Sequence, residues 1–126
     1  MKTPCEILVN KILPQIRALV TIELAETYGI KGRDIARLVG TTEAAVSQYI
    51  HRTRGVQKDF LDDFPEIGPF VIEASKELHE KRDTEFELTE KLGEMCSLLR
   101  FNKKYIEMYT QGRKGVSCGI CFKDVQ

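Results

Sequence analysis

The chain has 126 residues, with 19 Lys and Arg side chains against 19 Asp and Glu, and 42% of its residues are hydrophobic. This length fits one domain, or a small domain with an extension, and the hydrophobic and charged fractions argue against disorder. No apolar run approaches the roughly 20 residues that a membrane helix needs, and the first residues lack the pattern of a secretion signal. We therefore expect a cytoplasmic protein without a membrane segment, whose thiols are reduced unless a metal holds them.

The zero net charge hides an uneven distribution along the chain. Residues 1–58 carry nine basic and five acidic side chains, residues 59–94 carry four and twelve, and residues 95–126 carry six and two. Such a partition predicts segments with different roles. We place a DNA-binding head at 1–58, a helical assembly segment at 59–110 and a cysteine-containing tail at 111–126.

Apolar residues near the N-terminus follow helical spacing. Between residues 5 and 27 they recur every three or four positions, at Ile7, Leu8, Ile12, Leu13, Ile16, Leu19, Val20 and Leu24. Pro14 interrupts this stripe and predicts two helices or a kink, because proline fits only the first turn of a helix. Gly29 is placed to end the second helix. No strand-like alternation of more than a few residues occurs, so the predicted fold class is all-α.

Residues 31–54 carry the pattern of two short helices joined by a turn. Ala36 is small enough for the helices to cross closely, Gly40 suits the left-handed conformation of a sharp turn, and Thr41 or Thr42 can cap the second helix. The positions predicted to face the core are Ile35, Leu38, Val39, Val46, Tyr49 and Ile50. The spacing predicts a helix-turn-helix.

The opposite face of the second helix is polar and predicts contact with DNA. Ser47 and Gln48 can hydrogen-bond base edges in a major groove, and glutamine suits adenine. Arg37 within the first helix, together with basic residues on either side of the pair, would neutralise phosphates. The predicted DNA-binding residues are Lys31, Arg33, Thr42, Glu43, Ser47, Gln48, His51, Arg52 and Arg54.

Ala36, Gly40 and Val46, at these offsets, resemble the helix-turn-helix of Cro/repressor-type transcription regulators. With the preceding run from Pro4 to Val20, about the first 60 residues are similar to a group of archaeal predicted transcription regulators. Members of that group tend to carry a C-terminal cluster of paired cysteines, or of cysteine and histidine. The resemblance implies a regulator that binds double-stranded DNA.

Residues 59–110 contain two shorter apolar patterns. A break is predicted at 62–66, after which Pro69 can open a helix with a stripe of Val71, Ala74 and Leu78. An apolar seam of about two heptads follows at Leu88, Leu92, Met95 and Leu99. The seam fits packing on the head or on a second subunit. Because one recognition helix reads few base pairs, we expect a homodimer.

The four cysteines are Cys5, Cys96, Cys118 and Cys121. Cys118 and Cys121 form a Cys-x-x-Cys, which can bind part of an iron–sulfur cluster or zinc, although neither is held by two ligands alone. Cys96 is the natural third ligand, and Cys5 is a fourth, in cis or in trans. Structural zinc usually has two close pairs, so an iron–sulfur cluster is the first expectation. Zinc, a reversible Cys118–Cys121 disulfide and an idle tail stay open.

The sequence does not have the pattern of an enzyme. A thioredoxin-like oxidoreductase would place its Cys-x-x-Cys in a βαβ unit, and the two histidines, His51 and His79, belong to no metalloprotease or phosphate-loop motif. The predicted function is therefore a sequence-specific DNA-binding transcription regulator whose cysteines sense redox or metal state. An alternative function, of a different class, is that of a helical protein-interaction module that does not bind DNA.

Overall fold

The structure is a computed structural model that describes residues 4–51 and 59–110. A π-helical turn at Leu8–Ile12 joins the first two helices, and a 3₁₀ turn lies at Leu88–Lys91. The α-helices of the described ranges are α1 (Pro4–Ile7), α2 (Leu13–Tyr28), α3 (Gly32–Val39), α4 (Glu43–Ile50), α5 (Phe60–Asp63), α6 (Ile67–Glu80), α7 (Leu92–Leu99) and α8 (Lys103–Thr110). Neither range contains a strand, so the predicted all-α class is confirmed for them.

Pro14 modifies the N-terminal helical run without introducing a loop. It lies in the first turn of α2, directly after the π-helical turn, where the Leu13 N–H donates to the Leu8 carbonyl oxygen. Proline has no N–H to donate, and its ring collides with the carbonyl four residues back. A wider turn ahead of it relieves both problems, so the predicted interruption takes the form of a π-helical turn between α1 and α2.

Two glycines end helices in the left-handed conformation. Gly29 follows α2 with φ 63°, and Gly40 follows α3 with φ 72°. The next residue in each case donates its N–H back into the helix, from Ile30 to Leu24 over 3.2 Å and from Thr41 to Ala36 over 2.9 Å. These bonds satisfy carbonyl groups that a helix end otherwise leaves without a partner. The predicted end of α2 and the predicted turn at Gly40 are therefore confirmed.

The predicted head and the predicted assembly segment share one hydrophobic core. Every α-helix of the described ranges contributes buried residues to it. α2 lies at its centre and contacts α3, α4 and α6. Ile16, Val20 and Leu24 of α2 have no exposed surface. Burial of side chains of this size contributes about 1.5–3 kcal/mol each. Because α2 contacts helices of both halves of the chain, this burial holds the two halves together.

The predicted apolar seam lies inside this core. Leu88, Met95 and Leu99 are fully buried, and Leu92 packs against them with part of its surface exposed. The stripe of Val71, Ala74 and Leu78 on α6 is buried as predicted. Of the two arrangements that the sequence left open for the seam, the structure has the intramolecular one. The seam is therefore not the surface on which a second subunit packs.

A buried asparagine joins three helical segments at the far end of the core. The Asn102 amide nitrogen donates to the Asp63 carbonyl oxygen at 3.0 Å and to the Glu66 carboxylate at 3.0 and 3.1 Å. Its amide oxygen accepts the Tyr105 N–H at 2.9 Å, which caps the start of α8. One side chain thus fixes α8 against the break between α5 and α6.

In the part of the chain that the structure describes, no helix has the length and apolar character needed to cross a membrane.

Candidate functional site

α3 and α4 are joined by a three-residue turn, and each packs on the other and on α2. Ala36 of α3 is only 6% exposed and lies in the same buried cluster as Val46 of α4. On the neighbouring side of α4, Ala45 and Tyr49 pack against Ala18 of α2. α4 is thus packed against both α2 and α3, and its remaining face is left in solvent.

Thr42 caps the start of α4. Its backbone is extended, and its side-chain oxygen accepts the Ala45 N–H at 3.1 Å. This bond satisfies one of the N–H groups that the first turn of a helix cannot pair internally. Glu43 adds a carboxylate to the same turn, where the helix dipole favours negative charge. Of the two threonines left open by the sequence, Thr42 is the cap.

The predicted base-reading residues lie on the solvent face of α4. Thr42, Glu43, Ser47, Gln48 and His51 are all exposed. Residues three or four positions apart share one side of a helix, so Glu43, Ser47, Gln48 and His51 form a polar strip opposite the packed side, and the cap residue Thr42 lies at the start of the helix. Hydroxyl and amide groups within the strip can both donate and accept hydrogen bonds. The strip therefore has the chemistry needed to contact base edges.

The predicted phosphate contacts are only partly within the described residues. Lys31 and Arg33 are exposed at the start of α3, and neither has a carboxylate partner among the residues described. Arg52 and Arg54 lie outside the described residues. Two cations at the start of α3 thus have no neutralising ion pair in the described ranges.

Arg37 differs from the sequence-based interpretation of a phosphate contact. Its guanidinium donates to the main-chain carbonyl oxygen of Thr84 at 3.2 Å and to that of Arg82. These bonds tie α3 to the segment after α6, which the sequence could not place beside it. The hollow around Arg37 is also lined by the carboxylates of Asp83, Glu85 and Glu87. These carboxylates would repel a phosphate. We therefore interpret Arg37 as a structural residue that links α3 to the segment after α6.

Two of the four predicted cysteine ligands lie within the described residues. Cys5 is in α1 and Cys96 is in α7, and both are partly buried. Cys118 and Cys121 lie outside the described residues. Within 4–51 and 59–110, no group of three or more His, Cys, Asp or Glu side chains is arranged to hold a metal ion. α1 contacts α8, the helix after which the Cys-x-x-Cys segment follows in the sequence.

A cationic cleft that the motif does not indicate lies where the end of α2 meets the end of α6. The Tyr28 and His79 rings stack there, with centroids 4.4 Å apart and 22° between their planes. The cleft is lined by Tyr28, Lys31, Arg33, Asp34, His79 and Arg82. His79 and Arg82 belong to the acidic middle of the sequence, and no local signal places them beside α3. Only the packing of α6 on α2 reveals them.

An ion-pair network joins α6 to the beginning of α7. The Glu77 carboxylate accepts hydrogen bonds from Lys81 at 2.8 Å and from Lys91 at 2.7 Å, and these bonds lower its pKa. Burial alone would lower the pKa of Lys91, but its bonds to Glu77 and Glu94 outweigh burial and raise it. The network stabilises the scaffold that supports α2.

Comparison of the chain with protein-family models, with curated proteins and with solved structures finds no match. What the chain does is therefore inferred from its own residues and their arrangement.

Proposed function

We propose that the chain is a transcription regulator that binds double-stranded DNA through a helix-turn-helix formed by α3 and α4. The observation that carries this proposal is the exposed polar strip of α4, on a helix packed against α2 and α3 and capped by Thr42. In helix-turn-helix proteins the second helix lies in the major groove, with its N-terminal residues on base edges. Glu43 lies in the first turn of α4, and Ser47 and Gln48 lie one turn further along its exposed face. The Gln48 amide suits bidentate contact with adenine.

Basic residues that precede and follow the strip in the sequence supply the sequence-independent part of the affinity. Lys31 and Arg33 precede it in the chain, and Arg52 and Arg54 follow it. Each phosphate contact releases counterions and contributes about −0.9 to the slope of log affinity against log salt. Four such contacts would give a slope of roughly −3 to −4 for one protomer.

We further propose that two copies bind one operator. A single recognition helix reads few base pairs, and paired half-sites about 34 Å apart supply the missing specificity. Because the Leu88–Leu99 seam is buried within the protomer, the second copy must pack on another surface. Such a dimer would read a palindromic operator.

The cysteines are proposed to hold an iron–sulfur cluster that reports redox state to the DNA-binding helices. Cys118 and Cys121 would be two ligands, Cys96 the third and Cys5 the fourth. Support comes from the contact between α1, which carries Cys5, and α8, which precedes the Cys-x-x-Cys segment. Zinc, or a Cys118–Cys121 disulfide without metal, are the alternatives. Thiols kept reduced for this purpose fit a cytoplasmic protein.

DNA binding is tested by titrating a fluorescent duplex of random sequence with the full chain at several salt concentrations. The expected result is micromolar or weaker affinity that falls steeply with salt, followed by recovery of a preferred sequence from a random duplex library. Absence of salt-dependent binding would favour the helical protein-interaction module instead.

The cofactor is tested by measuring iron, zinc and acid-labile sulfide per chain on protein purified without oxygen. Iron with matching sulfide, lost in Cys118→Ser, is the expected result. If zinc alone is found, the tail has a structural role. If neither metal is found, a thiol switch or a tail without such a role remains. The sensing proposal fails if Cys118→Ser changes neither the cofactor content nor the affinity for DNA.

A further inference from the structure

The cleft between the ends of α2 and α6 brings together three positive charges from two separate segments of the chain. Lys31 lies just before α3, Arg33 lies in its first turn, and Arg82 follows α6. The cleft is open to solvent and has a volume of about 320 Å³. Among the lining residues described, Asp34 is the only one with a carboxylate, so the net charge of the cleft is positive.

These cations lack the ion pairs that other basic residues of the chain form. Lys81 and Lys91 are each bonded to carboxylates at 2.7–2.8 Å. Lys31, Arg33 and Arg82 have no carboxylate within ion-pair distance among the described residues. Like charges that share a cleft repel one another, and an anion between them would remove that repulsion.

The α6 side of the cleft is held in place by hydrogen bonds. Arg37 binds the main-chain carbonyl oxygens of Arg82 and Thr84, which fixes this segment against α3. The Arg82 side chain donates to the His79 carbonyl oxygen at 2.8 Å and so lies beside the Tyr28–His79 stack. His79 Nδ1 is buried without a hydrogen-bond partner among the described residues. The cleft is therefore formed before any ligand arrives.

We propose that this cleft binds a phosphate group through Arg33, Arg82 and Lys31. Guanidinium groups match phosphate oxygens in a planar, two-point geometry, and an ammonium adds a point charge. The proposal goes beyond the base-reading role of α4 and the phosphate contacts proposed above for Lys31 and Arg33, because it adds Arg82, from the segment after α6, to a single binding site. The phosphate is that of a DNA backbone or of a small phosphorylated molecule, and the two sources are distinguished by experiment.

The test compares Arg82→Gln with Lys76→Gln in the full chain. Lys76 is exposed on α6 but does not line the cleft, so both variants remove one positive charge from the same region. Inorganic phosphate is titrated into ¹⁵N-labelled protein at constant ionic strength, with chloride as the reference anion. A random-sequence duplex is titrated in parallel over a range of salt concentrations. Circular dichroism verifies that each variant is folded.

Saturable shifts at Lys31, Arg33 and Arg82 are expected with phosphate. Arg82→Gln should weaken that binding by about three- to tenfold, because one hydrogen bond is lost at a solvent-exposed site. Arg82→Lys should restore part of it, and Lys76→Gln should leave it unchanged. If the ligand is a DNA backbone, Arg82→Gln also lowers the salt slope of duplex binding by about one. If the ligand is a small molecule, duplex binding is the same in both variants.

The proposal is overturned if Arg82→Gln and Lys76→Gln behave alike in both titrations. That result would leave the DNA-binding proposal intact, provided that the duplex is still bound in a salt-dependent manner. Conversely, phosphate binding in the cleft without any duplex binding would support the cleft and contradict the DNA-binding proposal. The two proposals therefore fail through different observations.

Discussion

The guanidinium of Arg37 donates to the main-chain carbonyl oxygen of Thr84 across 3.2 Å, and this bond connects α3 to the segment that follows α6. A second bond from the same guanidinium reaches the carbonyl oxygen of Arg82. An arginine within the proposed DNA-binding helix pair thus belongs to the scaffold. Arg33, four residues earlier, is exposed and has no such bonds among the described residues.

Arg37→Gln and Arg33→Gln should therefore change different quantities, the first stability and the second the salt dependence of duplex binding. Arg37→Gln loses two charge-assisted bonds at a solvent-exposed site and should lower the free energy of unfolding by about 1 kcal/mol, with little change in the salt slope of duplex binding. Arg33→Gln should leave stability within about 0.5 kcal/mol and lower that slope by about one. Urea unfolding and salt titrations measure the two quantities. Equal loss of slope in both variants would contradict the structural assignment of Arg37.

Thr42→Ala should destabilise the chain by about 1 kcal/mol, because the Ala45 N–H loses its acceptor at the start of α4. Thr42→Ser keeps a hydroxyl and should retain most of the stability. Thr41→Ala is the matched control, since Thr41 precedes the cap and its side chain forms no cap bond with α4. Urea unfolding of the three variants measures these differences in stability. A larger loss in Thr41→Ala would assign the cap to the other threonine.

The local signals of the sequence identified these helix ends because the chemistry of a turn is local. Gly29 and Gly40 adopt positive φ where the sequence predicted helix ends, and Thr42 was one of two threonines that the sequence allowed as a cap. Each of these features depends on a few neighbouring residues. Helical periodicity likewise identified the buried side of α4.

The partners of each surface could not be predicted, because they depend on residues distant in sequence. The spacing of Leu88 and Leu99 marked an apolar side but did not say whether the head or a second copy covers it. Arg37 has the same charge as Arg33, and only the path of the chain after α6 makes one of them structural. The cleft at Tyr28 and His79 has the same origin, because two helix ends meet there.

Met95→Ala tests whether the seam belongs to the protomer. Met95 is fully buried, and truncation should cost about 2–5 kcal/mol through the lost burial and the cavity left behind. Because the contacts are intramolecular, this loss should be the same at every protein concentration. Ile72→Ala is the control, since Ile72 is 60% exposed on α6 and its truncation should be nearly neutral. A loss that depended on protein concentration would place Met95 in a subunit interface.

Glu77→Gln should reduce stability at neutral pH and flatten the loss of stability in acid. The folded pKa of Glu77 lies below its ordinary value of 4.5, because Lys81 and Lys91 donate to the carboxylate. Its contribution is therefore complete above that value and is lost as the pH falls through the lower folded pKa. The pKa of Lys91 is raised, so its contribution to stability is present below pH 10.5 and is lost only at higher pH.

Urea unfolding of wild type and Glu77→Gln between about pH 3 and pH 7 measures this effect, because the ordinary glutamate pKa lies inside that interval. The difference between the two proteins should be up to about 1 kcal/mol at neutral pH and should shrink in acid. Glu73→Gln is the matched control, because Glu73 is exposed on the same helix and forms no ion pair with the described residues. A constant difference across the pH range would contradict the ion-pair assignment.

Gln48→Ala should weaken discrimination between DNA sequences more than it weakens binding to DNA as such. Gln48 is exposed on the polar strip of α4, and a bidentate contact to a base is worth about 1–3 kcal/mol against the wrong base. The affinities of each variant for the selected operator and for a random duplex are measured at one salt concentration. Arg33→Gln provides the contrast, because loss of a phosphate contact should lower both affinities by the same factor. A uniform loss in Gln48→Ala would show that Gln48 does not read a base.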